Sequence, residues 1–180
     1  MKYSTTMLIA ALIGAGALQA QTGALVNELK QNYQGIKNTV TRAAEKMSEA
    51  DYSFKATPQV RSYGEIVTHI AEVQIALCSM AKGEQKRLTN PKASAKAESE
   101  AALKEAFDYC DPIYNGLTDA SANENVKFFG GRDRSRFGVL DFGVIHGNEM
   151  YGQMVVYLRM KNLVPPTSEG RGGGGGGKKE

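Results

Sequence analysis

Between Leu25 and Met47 the apolar positions fall at Leu25, Leu29, Tyr33, Ile36, Val40, Ala43 and Met47. This alternation of three and four is the stripe of an amphipathic helix. A second helix is predicted from Ser62, where S-Y-G-E places a capping serine three residues before Glu65, the pattern of a capping box. Its apolar face runs Ile66, His69/Ile70, Val73, Leu77 and Met80, and Gly83 supplies a stop. A third helix begins somewhere after Ser94 and carries Leu103, Ala106/Phe107, Cys110, Ile113/Tyr114 and Leu117. The fourth runs from about Arg136 to Lys161, with Ser135 as its cap and Pro165-Pro166 forbidding extension. No segment sustains a two-residue alternation, so the pattern predicts an all-α fold, a four-helix bundle.

The connections bear on topology. Lys82 to Ala97 is a mostly polar run between the second and third helices. Extended, it reaches roughly 50 Å, whereas a helix of about 20 residues is only about 30 Å long. The run is therefore long enough to return along the bundle and leave helices two and three parallel. Cys78, near the end of helix two, and Cys110, two thirds along helix three, favour that arrangement. Their levels match if the helices are parallel and differ by about 15 Å if they are antiparallel. Two cysteines in an exported chain are more often bridged than free. The competing reading makes them two small buried apolar residues. Parallel second and third helices joined by a long crossover follow.

The ends stand apart from this pattern. Lys2, the apolar run Met7 to Leu18 and the small residue Ala20 read as a secretory signal peptide over residues 1–20. A membrane anchor is the competing reading, but the run is too short to span a bilayer. Residues 169–180, E-G-R-G-G-G-G-G-G-K-K-E, have nothing to bury and read as a disordered tail. That leaves residues 21–168 as one domain, expected in the periplasm or secreted. The chain has 22 Lys+Arg and 19 Asp+Glu. Setting aside Lys2, Arg171, Lys178, Lys179, Glu169 and Glu180 leaves 18 against 17. The basicity belongs to the ends, and no nucleic-acid footprint follows from it.

Candidate chemistry centres on the chain's two histidines. His69 lies in helix two. His146 shares one face of helix four with Met150, Gln153 and Tyr157, at spacings of four, three and four. Arg132, Arg134 and Arg136 cluster before helix four, either to meet an anion or as a solvated loop. Gly130-Gly131 has no strand before it and reads as a turn rather than a phosphate loop. Spacing alone assembles no nucleophile–base–acid set, and bridged cysteines are not nucleophiles.

Four helices, the long crossover, a histidine in helix two and the motif H-x-x-x-M-x-G-Q-x-x-x-Y-L-R from His146 to Arg159 together resemble the DinB/YfiT-like superfamily. The likeness covers Gln21 to Pro166, with its strongest match in the last helix. It implies an up-down-down-up bundle. It also implies a divalent metal, nickel or zinc, held by one histidine of helix two and two of helix four. His69 and His146 match the first two ligand positions, and Met150 stands at the third. Arg159 matches a position of the family, although a late-helix arginine also suits the helix dipole.

The methionine matters, because a soft, neutral thioether binds hard divalent ions poorly. Three readings stay open. In the first the site is vestigial: both histidines are core residues and Met150 packs. In the second Glu149, three residues from His146, completes a set of two histidines and a carboxylate with an open position for water. In the third His69, His146 and Met150 hold Cu(I). The resemblance implies a metal-dependent transferase of the thiol S-transferase type, or a hydrolase. The alternative is a non-catalytic bundle that binds a small ligand or a partner protein. The expected partners are a small molecule and, in a homodimer, a second copy of the chain, with no nucleic acid and no stable membrane insertion once the signal is cleaved.

Overall fold

The computed structural model describes residues 4–170, with side chains from residue 23 onward. The expected signal segment, residues 1–20, and all of the Gly-rich tail after Gly170 fall outside that side-chain description. Helix α1 spans Ser4–Lys46, α2 Tyr63–Lys82, α3 Lys96–Asn115, α4 Asp119–Ala122 and α5 Arg136–Met160. Between α4 and α5 lies an antiparallel hairpin of β1 (Asn125–Lys127) and β2 (Asp133–Ser135). The sequence pattern predicts no strands. With three residues each, these are too short to show an alternation, and they are paired by a turn in which Gly130 and Gly131 both take positive φ. Among the described residues no helix is long and apolar enough to cross a membrane.

The four long helices form the bundle in up-down-down-up order. Gly64 at the start of α2 accepts from Ser99 at the start of α3, and the carbonyl oxygen of Gln74 farther along α2 lies 3.4 Å from Sγ of Cys110, so these two helices run parallel. Tyr33 and Lys96 of α1 and α3 reach Asp111 and Met47 respectively, which makes α1 and α3 antiparallel. Tyr157 near the end of α5 donates to Arg61, while Arg136 at its start donates to Ala81, so α5 opposes α2. The cysteine levels therefore match: Cys78 and Cys110 are bridged, with Cα atoms 5.5 Å apart, and both are fully buried.

Local sequence explains the helix ends. Ser62 accepts from the amide of Glu65 while Glu65 accepts from that of Ser62, a complete capping box on α2. Gly83 closes α2 in the left-handed conformation at φ 76°. Ser135 accepts from the amide of Gly138 and starts α5. The predicted stripe of α1 is buried from Leu29 onward, whereas Leu25 is half exposed and its neighbour Val26 takes the buried position at that level.

Helix α2 departs most from its expected amphipathic form. Thr68, Ala71, Gln74, Ile75, Ser79 and Ala81 are buried in addition to Ile66, Ile70 and Leu77 of the predicted stripe, while His69, Val73 and Met80 are only partly covered. Both α3 and α5 flank α2, and the crossover, residues 83–95, returns along the bundle and buries Leu88 and Ala93. It packs so closely that a Cβ on Gly64 would lie 1.9 Å from the carbonyl oxygen of Ser94. Only glycine fits beneath that backbone.

The chain after α5 folds back onto the bundle. Tyr151 and Thr167 share a hydrogen bond of 2.9 Å, and Arg159 donates to Ser168. Glu169, at the expected start of the tail, forms ion pairs with Arg42 and Lys46. The anchored chain thus extends through that residue.

Candidate functional site

Helices α2 and α5 lie antiparallel and side by side, which brings His69 and His146 together although 77 positions separate them in sequence (146 less 69). Their rings meet edge to face, with centroids 5.1 Å apart and planes inclined at 72°. Ile36 of α1 packs against Gly147, where an added Cβ would lie 2.9 Å from the isoleucine, so the missing side chain lets α1 approach α5 beside His146. Both imidazoles are partly buried.

Burial, more than the surrounding charges, lowers the proton affinity of both rings. Burial is the largest influence on His69 and lowers its pKa below 6.5, helped by the positive charge of Arg61 and the second imidazole. Glu72, whose carboxylate lies 3.9 Å from Nδ1 of His69, and Glu149 oppose that shift. His146 is lowered too, again chiefly by burial and also by Arg61, with Glu149 opposing. Two neutral imidazoles with available lone pairs are the protonation state that a transition metal needs.

The spacing of the pair fits two ligands of one ion. Imidazoles bound tetrahedrally to zinc, each nitrogen about 2.0–2.1 Å from the metal, place their ring centroids roughly 5 Å apart. The third position does not fit. Met150 is 4 % exposed and packs in the hydrophobic core. Glu149 is exposed, and its charge reaches both imidazoles. Among the described residues no three His, Cys, Asp or Glu side chains cluster closely enough to hold an ion. Of the expected ligand set, only His69 and His146 stand side by side.

Other expected site residues disperse into structural roles. Arg136 turns inward, donating to the carbonyls of Ala81 and Ser121 and pairing with Glu124 at 2.9 Å. It thereby closes the C-terminal end of α2. Arg134 lies over the rings of Phe128 and Phe142. The arginine cluster therefore does not converge on an anion. Cys78 and Cys110 sit in the core beside Gln74.

The residues that sequence reasoning misses are Arg61, Thr68 and Glu72. They line, with His69, a cleft of about 480 Å³ between the α1–α2 connection and the end of the crossover. Arg61 directly precedes the capping serine, and Thr68 directly precedes His69. A threonine in an otherwise apolar run beside a candidate ligand was the available signal. The folding of the crossover over it was not.

Comparisons with known proteins agree with this architecture. The family model for the DinB superfamily matches residues 32–154. A DinB-like protein from Bacillus cereus ATCC 10987 is similar at 18 % identity and a TM-score of 0.66, covering 77 % of this chain and 93 % of its own. The DinB-like protein YjoA of Bacillus subtilis gives 20 % identity and a TM-score of 0.62, over 76 % of this chain and 93 % of its own. A mycothiol-dependent maleylpyruvate isomerase gives 16 % identity and a TM-score of 0.55, over 74 % of this chain and 66 % of its own. These likenesses are of fold. No curated protein matches the sequence. With the bundle order, the paired histidines and a family match over more than half its length, this chain belongs to the DinB superfamily.

Proposed function

We propose that this protein is an exported DinB-type bundle whose His69–His146 pair is a degenerate divalent-metal site, and that it acts by binding a small molecule at that site rather than by metal-driven transfer. The carrying observation is that pair, 5.1 Å apart, standing beside a buried thioether at the expected third ligand position. Two imidazoles held on rigid helices retain some affinity for nickel or zinc. Without a third hard or borderline donor the ion is not gripped. Export is supported by the leader-like residues 1–20 and by a buried disulfide, a bond that persists in oxidising compartments.

A second reading has an observation in its favour. The charge of Glu149 acts on both imidazoles, so it is the carboxylate nearest to completing the set. If it did, the bundle would have two histidines, a carboxylate and an open position, and a metal there would activate a water or a thiol. That is the transferase or hydrolase reading, to which the fold likeness to a mycothiol-dependent isomerase lends a thiol co-substrate.

Metal analysis of protein produced without a polyhistidine tag separates the two. The degenerate site predicts nickel and zinc well below one equivalent after dialysis, and weak binding on titration. Stoichiometric metal that survives dialysis would reject the proposal and make Glu149 the first residue to replace.

A further inference from the structure

The cleft beside His69 contains a polar group for which the fold provides no partner. Thr68 is 3 % exposed and lines the cleft, yet its hydroxyl makes no hydrogen bond among the described residues. A helical threonine ordinarily returns its hydroxyl to the carbonyl four residues back. Here that carbonyl, of Gly64, accepts instead from Ser99 of α3 at 3.4 Å. A buried hydroxyl without a partner costs about 1–3 kcal/mol; its oxygen is covered as it stands, and a ligand oxygen would remove that cost once the Thr68 side chain turns toward the cleft.

The charges of the cleft indicate what such a ligand carries. One of its two acids is already engaged. Glu65 accepts from the Ser62 amide at 2.6 Å and pairs with Lys55 at 3.0 Å, while Glu72 faces Nδ1 of His69. Its other two cations are not engaged: among the described residues neither Arg61 nor Lys92 forms an ion pair. The guanidinium of Arg61 lies near enough to depress the proton affinity of both histidines. An unpaired arginine presents a planar fork matched to two coplanar oxygens. At about 480 Å³ the cleft is within the range of small-molecule sites.

We propose that this cleft binds a small carboxylate, its two oxygens on the fork of Arg61 with Lys92 adding charge, and that the Thr68 side chain turns to give its hydroxyl to a further polar atom. The proposal rests on the reading of the protein as a small-molecule binder and specifies the class of molecule. The carboxylate is favoured over a phosphate dianion because Glu72 also lines the cleft and opposes a second negative charge.

The test is titration of chelator-treated, metal-free protein with acetate, benzoate and inorganic phosphate, followed by amide chemical shifts. Acetate or benzoate is expected to shift the amides of residues 58–72 and 91–94 with a saturable, millimolar or tighter Kd. Arg61→Gln should weaken that Kd about tenfold or more and lessen its dependence on salt. Thr68→Val, which keeps shape and removes the hydroxyl, should weaken it several-fold while the protein stays folded. Phosphate binding more tightly than both carboxylates would overturn the class of ligand. Absence of saturable shifts in the cleft, or an Arg61→Gln variant that binds as the parent does, would overturn the site. Because the protein is metal-free, failure here leaves the metal behaviour of His69 and His146 to be judged on its own measurement.

Discussion

The two halves of α2 treat buried polar groups in opposite ways. Around Gln74 every such group has a partner. The amide of Gln74 donates to Tyr114 at 3.3 Å, Tyr114 donates to the carbonyl of Leu140 at 2.8 Å, and the Tyr114 ring stacks on Tyr33 at 3.6 Å. Tyr33 in turn donates to Asp111 at 2.8 Å, and Asp111 is paired with Lys37. The disulfide closes the same level of the bundle. One to two turns earlier, Thr68 has no partner and His69 faces another neutral imidazole. A satisfied buried network rigidifies a core, whereas a buried polar group without a partner costs free energy and calls for an explanation. The half around Gln74 reads as scaffold and the half around Thr68 as site.

This contrast can be broken by mutation, and the largest effect should come from the scaffold. Replacing Cys78 and Cys110 by alanine together should cost ~3 to 4 kcal/mol in the chain-entropy model, since the bridge closes a loop of 32 residues. Denaturant unfolding of the double variant measures it. Peptide mapping under non-reducing conditions should show the bridge in exported protein, and two free thiols would contradict it.

Tyr114→Phe should be next, at about 1–3 kcal/mol, because it strands the buried amide of Gln74 and removes a donor from Leu140. Thr68→Val is the matching change in the other half. It should fall within about 0.5 kcal/mol of the parent, or stabilise, because the hydroxyl it removes has no partner. Thermal unfolding of both variants under one condition decides the matter. Equal losses would mean that the Thr68 hydroxyl contributes as much to the fold as that of Tyr114, and that the contrast is false.

A smaller effect should appear with pH. Burial lowers the pKa of both His69 and His146 from 6.5, so the unfolded chain binds more protons than the folded one below that value. Stability from this source is complete above about pH 6.5 and declines as pH falls toward the folded values. His69→Gln with His146→Gln should flatten the difference in stability between pH 7 and pH 5. A slope as steep in the variant as in the parent would place its origin elsewhere.

The bundle was legible in the sequence because its signals are local and redundant. Three-four stripes, the Ser62–Glu65 capping box, the Gly83 stop and Pro165-Pro166 each specify an element end or face within a few residues. Parallel α2 and α3 were legible through a length argument, since the crossover can reach back. The hairpin was not, because three-residue strands leave no period to read. The pairing of His69 with His146 was legible only through family resemblance. The cleft was not legible at all. It exists because the crossover seats its backbone against Gly64, a contact between residues 30 positions apart (94 less 64) that no local pattern announces.

The most direct test of the central claim, a converged pair of histidines lacking its third ligand, is calorimetric titration of the parent and of Met150→His with nickel and zinc. Histidine at position 150 would stand one helical turn from His146 and add the missing imidazole to two already held on rigid helices. The parent should bind weakly, Met150→His should bind with a large gain in affinity and near one equivalent, and His146→Ala in that background should abolish the gain. A Met150→His variant that binds no better than the parent would show that the histidines of α2 and α5 do not converge on a common ion.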